Sequence, residues 1–214
     1  MTTNEKIEAL KNAITMSEKR KSKLTPDNFD VPGLVSLLGR HLYNNIGAIS
    51  TRLLEVGSHL GCSFTSSISN NNLISCTSVD SFASDWVEDR KCMPLFIANV
   101  GKYLPKDTEF NFIHSDAFEV DIEQIPEGID FYIYDGGHAY EQQRLGVSYY
   151  LPRFADEFVM IVDDFDWDDV SKGTFDGIKE AGLEIIWEHI FKGNDHDNDG
   201  AWNGYGVFLL QKHK

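Results

Sequence analysis

Arg52-Leu53-Leu54-Glu55-Val56-Gly57-Ser58-His59-Leu60-Gly61-Cys62-Ser63 passes from a short apolar run, through two glycines, into a stretch with helical patterning. A brief apolar run closed by glycine and followed by a helix is the pattern of a buried parallel strand entering its crossover. The same alternation recurs on both sides of it. Strands are predicted at Arg52 to Val56, Ser75 to Asp80, Glu109 to His114, Ile129 to Tyr134, Phe158 to Asp163, Leu183 to His189 and Gly206 to Gln211. Helices are predicted near 62–70, 89–103, 140–154 and 168–181.

Two further helices precede the first strand. Residues 4–22 carry Ile7, Leu10 and Ile14 on one face until Thr25-Pro26-Asp27-Asn28 breaks the pattern, and Val31 to Asn45 carries Leu34, Leu37, Leu38 and Leu42. Phe191 to Tyr205 is rich in Gly, Asp and Asn and has no helical pattern, so the last two strands read as an antiparallel hairpin. The expected fold is α/β: a Rossmann-like, seven-stranded, mostly parallel sheet with helices on both faces, the last strand antiparallel, and two N-terminal helices. Residues 1–48 form a helical cap ahead of 49–214, the whole making a single domain.

Composition bounds what such a domain does. With 214 residues, 42% hydrophobic and 12% aromatic, the chain fills one sizeable core. No apolar run approaches the roughly 18 residues of a membrane span, which predicts a soluble cytoplasmic protein without a membrane partner. Cys62, Cys76 and Cys92 lack Cys-x-x-Cys spacing and read as reduced, mostly core thiols. The net charge is −15, and residues 107–214 hold 24 Asp and Glu against 7 Lys and Arg. That surface repels a phosphate backbone, so nucleic acid is excluded and a neutral or metal-chelated small molecule is favoured. Homo-oligomerisation is compatible with this reading.

Gly57 and Gly61 let the backbone approach a ligand, and the following helix start offers N–H groups to a carboxylate. By themselves they also suit a tight βα turn with no ligand. Asp80 and Ser81, at the end of the second strand, stand where such folds bind ribose hydroxyls. Glu55, Asp116 and Ala117 complete a ring of candidate cofactor contacts at consecutive strand ends, although each carboxylate alone could be a helix cap. The turn lacks the Gly-x-Gly-x-x-Gly spacing used around a pyrophosphate and has Glu55 shortly before its first glycine. A carboxylate there repels a pyrophosphate and attracts the amine of a methionine moiety, so S-adenosylmethionine (SAM) fits better than NAD.

The fourth strand ends in Asp135-Gly136-Gly137-His138-Ala139-Tyr140 and the fifth in Val162-Asp163-Asp164. Three carboxylates converging on adjacent strand ends repel one another unless protonated or bridged by a cation, and hard oxygen donors suit Mg²⁺ or a similar divalent ion. Asp135, Asp163 and Asp164 are thus candidate metal ligands. His138 follows Asp135 on the turn into the next helix, where it either accepts a proton from an acceptor hydroxyl or merely caps the helix.

These motifs, with Glu55-Val56-Gly57, Gly61 and Ser63, resemble the small metal-dependent class I O-methyltransferases of the macrocin and mycinamicin sugar type, over roughly residues 50–166. The resemblance implies SAM as methyl donor, contacted by Glu55, Gly57, Gly61, Ser63, Asp80, Ser81, Asp116, Ala117 and Asp135. It implies Asp135, Asp163 and Asp164 as magnesium ligands, His138 as general base, and a hydroxyl of a sugar or other polyhydroxylated small molecule as acceptor. Two rivals predict differently: a SAM-binding protein without methyl transfer, and a metal-dependent hydrolase with no affinity for SAM.

Asp195-His196-Asp197-Asn198-Asp199-Gly200 imitates the start of a calcium loop, but Gly206 stands where the bidentate Glu belongs. A loop over the strand ends is expected instead, with Trp202 and Tyr205 as substrate contacts. Trp86, Trp167 and Trp187 are expected in the core or at its margins, with Trp167 near enough to the acid pair to line an acceptor pocket. His41, His59, His114, His189 and His213 show no ligand spacing.

Overall fold

The computed structural model describes residues 1–83, 92–193 and 200–213. Its sheet contains β1 (Arg52–Val56), β2 (Ser75–Val79), β3 (Glu109–Ile113), β4 (Ile129–Tyr134), β5 (Phe154–Asp163), β6 (Leu183–Phe191) and β7 (Tyr205–Lys212). The order across it is β3-β2-β1-β4-β5-β7-β6. The first five strands pair in parallel, and β7 runs antiparallel to both β5 and β6. The seven-stranded, mostly parallel architecture read from the sequence is the one that forms.

Side chains alternate between two cores, as period-two strands require. On one face Leu53, Phe131, Ile133, Ile161 and Leu209 pack with Leu10, Leu42, Phe64 and Phe96. These come from α1 (Thr3–Glu18), α2 (Leu37–Gly47), α3 (Cys62–Ile68) and α4 (Cys92–Tyr103). On the other face Leu54, Tyr132, Met160, Val162 and Phe208 pack with Val147, Val170 and Ile178 of α5 (Tyr140–Ser148) and α6 (Asp168–Glu180). Because both faces are covered, the strands read as near-continuous apolar runs. All three cysteines are buried, and Cys62 and Cys76 are free thiols. Among the described residues no helix is long and apolar enough to cross a membrane.

Three helix boundaries differ from expectation by at least four residues, and one shapes the site; α1 ends at Glu18 rather than near residue 22. α5 stops at Ser148 because Pro152 follows, and a 3₁₀ turn over Leu151–Arg153 leads directly into β5. α2 starts at Leu37 rather than Val31, where the Ser36 hydroxyl accepts from the Gly39 amide at 3.1 Å. Pro32 and Gly33 keep residues 31–36 out of the helix, and a Cβ on Gly33 would stand 2.4 Å from Cys62 Cβ. The buried Arg40 guanidinium donates to the carbonyls of Asn28 (3.1 Å) and Val31 (2.9 Å), which pins this segment across the end of the sheet.

Candidate active site

The chain leaves β1 toward β2 and β4 toward β5, although β1 and β4 are neighbours. Connections departing in opposite directions open a crevice beyond the carboxyl ends of that strand pair. At its floor Gly57 has φ +86°, and a Cβ there would lie 2.0 Å from the Asp135 carbonyl oxygen, so only glycine lets the two strand ends meet.

A cavity of about 720 Å³ fills the crevice. Gly57, Ser63, Asp80, Ser81, Asp116 and Ala117 line one part, and Asp135, His138, Asp163 and Asp164 another. Two residues expected at the cofactor stand elsewhere. Gly61 is the N-cap residue ahead of α3, facing the Phe96 ring, and Glu55 lies beneath the turn at 0% exposure, outside the lining. Among the described residues six non-glycines have positive φ, and four of them, His59, Phe82, Asp164 and Trp202, line the cavity. Backbone strain of this kind concentrates where geometry serves a ligand.

Asp80 organises the glycine turn. One carboxylate oxygen accepts from the amides of Ser58 (2.7 Å) and His59 (2.8 Å), and the other from Phe82 (2.6 Å). An ionised carboxylate offers about four lone-pair positions, so capacity for a hydroxyl donor remains. Asp116 likewise accepts from the Phe118 amide at 2.9 Å.

At the other end Asp135, His138 and Asp164 bring one ligand atom each to within 4.8 Å of one another. His138 Nε2 is 3.0 Å from Asp164 Oδ2 and 4.0 Å from Asp135 Oδ1, yet its angles make no hydrogen bond. Asp164 has φ +53°, and its Oδ1 accepts from Asn203 Nδ2 at 2.6 Å. Asp163 stands apart: its carboxylate accepts from the Asp164 amide at 2.8 Å and the Tyr43 hydroxyl at 3.5 Å. Burial raises the Asp163 pKa to about 7, and the Asp164 charge adds to that. Asp135 is raised well above the usual carboxylate range by burial and then by Asp163 and Asp164. Two carboxylates that resist ionisation beside an imidazole nitrogen lacking a hydrogen bond are a fitting cradle for a divalent cation. The mixed nitrogen and oxygen donors widen the choice from magnesium toward manganese, iron or zinc.

Several lining residues carried no legible signal. Gly33, Leu34 and Val35 come from the segment ahead of α2, and Asn203 from the chain before β7, whereas Trp202, expected as a substrate contact, does line the cavity. Tyr43 looks like any aromatic on an apolar helix face. Tyr205, expected at the substrate, is instead 1% exposed with its ring edge-on to Tyr43, because β7 runs through the middle of the sheet. Trp167, expected at the core or its margin and near enough to the acid pair to line a pocket, is 46% exposed at the cavity wall, and Trp187 packs against the first core partly buried. Trp86 and the calcium-like residues 195–199 lie outside the described residues.

Glu55 makes a separate prediction. Burial raises its pKa to about 8, nearby Ser58 and Ser63 hydroxyls oppose that shift, and neither carboxylate oxygen has a hydrogen bond of good geometry. Its folded pKa exceeds the unfolded value, so its contribution is fully present below the unfolded pKa of 4.5 and is lost as pH rises through about 8. Glu55→Gln is expected to flatten the fall in stability between those values, by up to about 1.4 kcal/mol per pH unit. Urea unfolding from pH 5 to 8 checks this, and parallel curves for the two proteins would contradict it.

A family model described as a methyltransferase domain matches residues 54–165, more than half of the sequence. The chain belongs to the methyltransferase-domain family. The match spans the strand ends that build the cavity, from the glycine turn to Asp163 and Asp164. The methyltransferase shares its fold with Rv0187 from MTB in cofactor-bound form, at TM-score 0.60 and 15% identity over 96% of this chain and 91% of that one. It shares it also with the O-methyltransferase from Bacillus cereus in complex with SAH (TM-score 0.57, 12% identity, 95% and 91% coverage). A caffeoyl-CoA O-methyltransferase from Staphylococcus aureus aligns at TM-score 0.59 with 16% identity, covering 94% of this methyltransferase and 98% of its own chain. No curated protein matches the sequence.

Proposed function

We propose that this chain is a SAM-dependent O-methyltransferase, assisted by Mg²⁺ or a similar divalent cation, acting on a hydroxyl of a sugar or other polyhydroxylated small molecule. The observation that carries the reading is one cavity holding both the glycine turn with Asp80 and the Asp135, His138 and Asp164 group. The motifs shared with the macrocin and mycinamicin sugar type point to the same chemistry, as do O-methyltransferases among proteins of the same fold.

Each group then has a task. Gly57, Ser63, Asp80, Ser81, Asp116 and Ala117 form the end that receives the nucleoside and methionine portions. Asp135 and Asp164 hold the cation, with Asp163 behind them fixed by Tyr43. When bound, the cation supplies a positive charge that lowers the pKa of an acceptor hydroxyl. His138 takes the proton at Nε2 as the acceptor oxygen approaches the methyl group in line. Trp167, packed edge-on against His138 at 5.0 Å between ring centroids, shields that nitrogen from bulk water.

Calorimetric titration with SAM tests the reading, with saturable micromolar binding expected. Asp80→Ala should weaken it more than about tenfold, since it removes an acceptor for ribose and also frees three turn amides, and hydrogen bonds to charged groups contribute about 1.5–3 kcal/mol. Absence of SAM binding by the unmodified protein would overturn the proposal. Unchanged affinity in the variant would remove the nucleoside from Asp80.

A further inference from the structure

Five aspartates line the cavity, Asp80, Asp116, Asp135, Asp163 and Asp164, and among the described residues no lysine or arginine does. Substrate clefts that accept phosphate or carboxylate groups present guanidinium, ammonium or a basic patch to them. Among the described residues, then, no cationic side chain stands ready to pair with an anionic group of an acceptor, and carboxyl groups take that place in the lining.

The wall beside the acid group is apolar. Trp167 is 46% exposed and Leu34 53% exposed, both line the cavity, and Trp167 stands beside His138. A tryptophan so open to solvent is unusual, since large aromatic side chains are mostly covered. Its ring centroid lies 5.0 Å from that of His138, so a ring seated on the indole would present its substituents to the Asp135, His138 and Asp164 group.

Resting on the methyltransferase reading above, we infer that the cavity sorts acceptors by charge: it takes an uncharged or cationic ring bearing adjacent hydroxyls, seated on Trp167, and turns away anionic ones. The apolar face supplies affinity through ring stacking and burial, and the carboxylates supply the selection. An added anionic group on an otherwise identical acceptor meets unpaired like charge in a partly enclosed cleft, where repulsion is felt more strongly than in bulk water.

The test uses three probes that share one diol and differ in remote charge: catechol, dopamine with its ammonium, and 3,4-dihydroxybenzenesulfonate, whose sulfonate is a poor metal ligand. Binding is measured by calorimetry to the full chain with S-adenosylhomocysteine and Mg²⁺ present. Catechol and dopamine should bind, with the sulfonate at least about tenfold weaker at low ionic strength and the gap narrowing near about 0.5 M salt. Trp167→Ala should weaken catechol about tenfold while SAM affinity is unchanged, and Trp167→Phe should recover part of the loss. Equal binding of the sulfonate and catechol, no binding of any probe, or catechol affinity indifferent to Trp167→Ala would each overturn the inference. SAM titration of the same samples reports separately on the methyltransferase reading, so failure of one is distinguishable from failure of the other.

Discussion

Replacing His138 by alanine is expected to cut the methyl-transfer rate by about 10²- to 10⁴-fold, the range for loss of a general base, while SAM affinity stays within about threefold. The expectation rests on geometry. Nε2 points among the acid group without a hydrogen bond of its own, 3.0 Å from Asp164 and 4.0 Å from Asp135, so it is free to engage a hydroxyl held there. Asp80 and the glycine turn are held by their own hydrogen bonds, none of which involves the His138 imidazole. Divalent-ion affinity, followed by thermal shift, separates two roles for the same nitrogen. Retained metal binding with lost rate identifies a base, and lost metal binding identifies a ligand. A decrease below about threefold at every pH would remove His138 from the chemistry altogether.

The second large effect belongs to Asp164. Asp164→Asn should weaken divalent-ion binding by at least about 100-fold, exceeding the 10- to 100-fold that removal of a supporting contact brings, and turnover should fall with it. Asparagine is the apt replacement because it tolerates the φ of +53° and preserves side-chain volume, so backbone distortion does not confuse the result. Metal-free protein should be as stable as the original or more so, since repulsion with Asp135 and Asp163 is relieved. Asp163→Asn should have a smaller effect on the ion, because that carboxylate is already engaged by Tyr43 and the Asp164 amide. A thermal shift with millimolar Mg²⁺ that survives Asp164→Asn would sink the assignment.

Strand positions were legible because buried parallel strands are apolar on both faces and end abruptly at glycine or aspartate. β1 and β4 have the predicted bounds, and the aspartates at the strand ends reach the cavity as the pattern implied. The start of β5 was not legible: Phe154 to Glu157 carries charges typical of a surface turn, and pairing of Phe154 with Ile129 and of Glu157 with Gln211 makes it strand. The same limit hid Tyr43 and Leu34. Their distance from the motifs in sequence is large, and nothing local distinguishes a helix tyrosine aimed at Asp163 from one in a core, or a leucine in a helix from one in the bend before it. The grouping of His138 with Asp135 and Asp164, leaving Asp163 aside, follows from the left-handed backbone at Asp164, which a string of residues does not display.

The place of β7 has a consequence for biosynthesis. It is the last of the seven strands in sequence, yet it lies between β5 and β6, and within the sheet β6 pairs with β7 alone. During synthesis, which delivers the chain from its N-terminus at about 5–20 residues per second, β5 has an open flank and β6 has no partner until Tyr205–Lys212 has emerged. Val162 and Asp163 pair with Gly206 and Tyr205, so the acid end of the cavity gains its backing only at that late moment. The nascent protein therefore carries an unpaired, apolar strand edge while the roughly 50 residues from Asp163 to Lys212 are made, the stage at which a chaperone has most to protect.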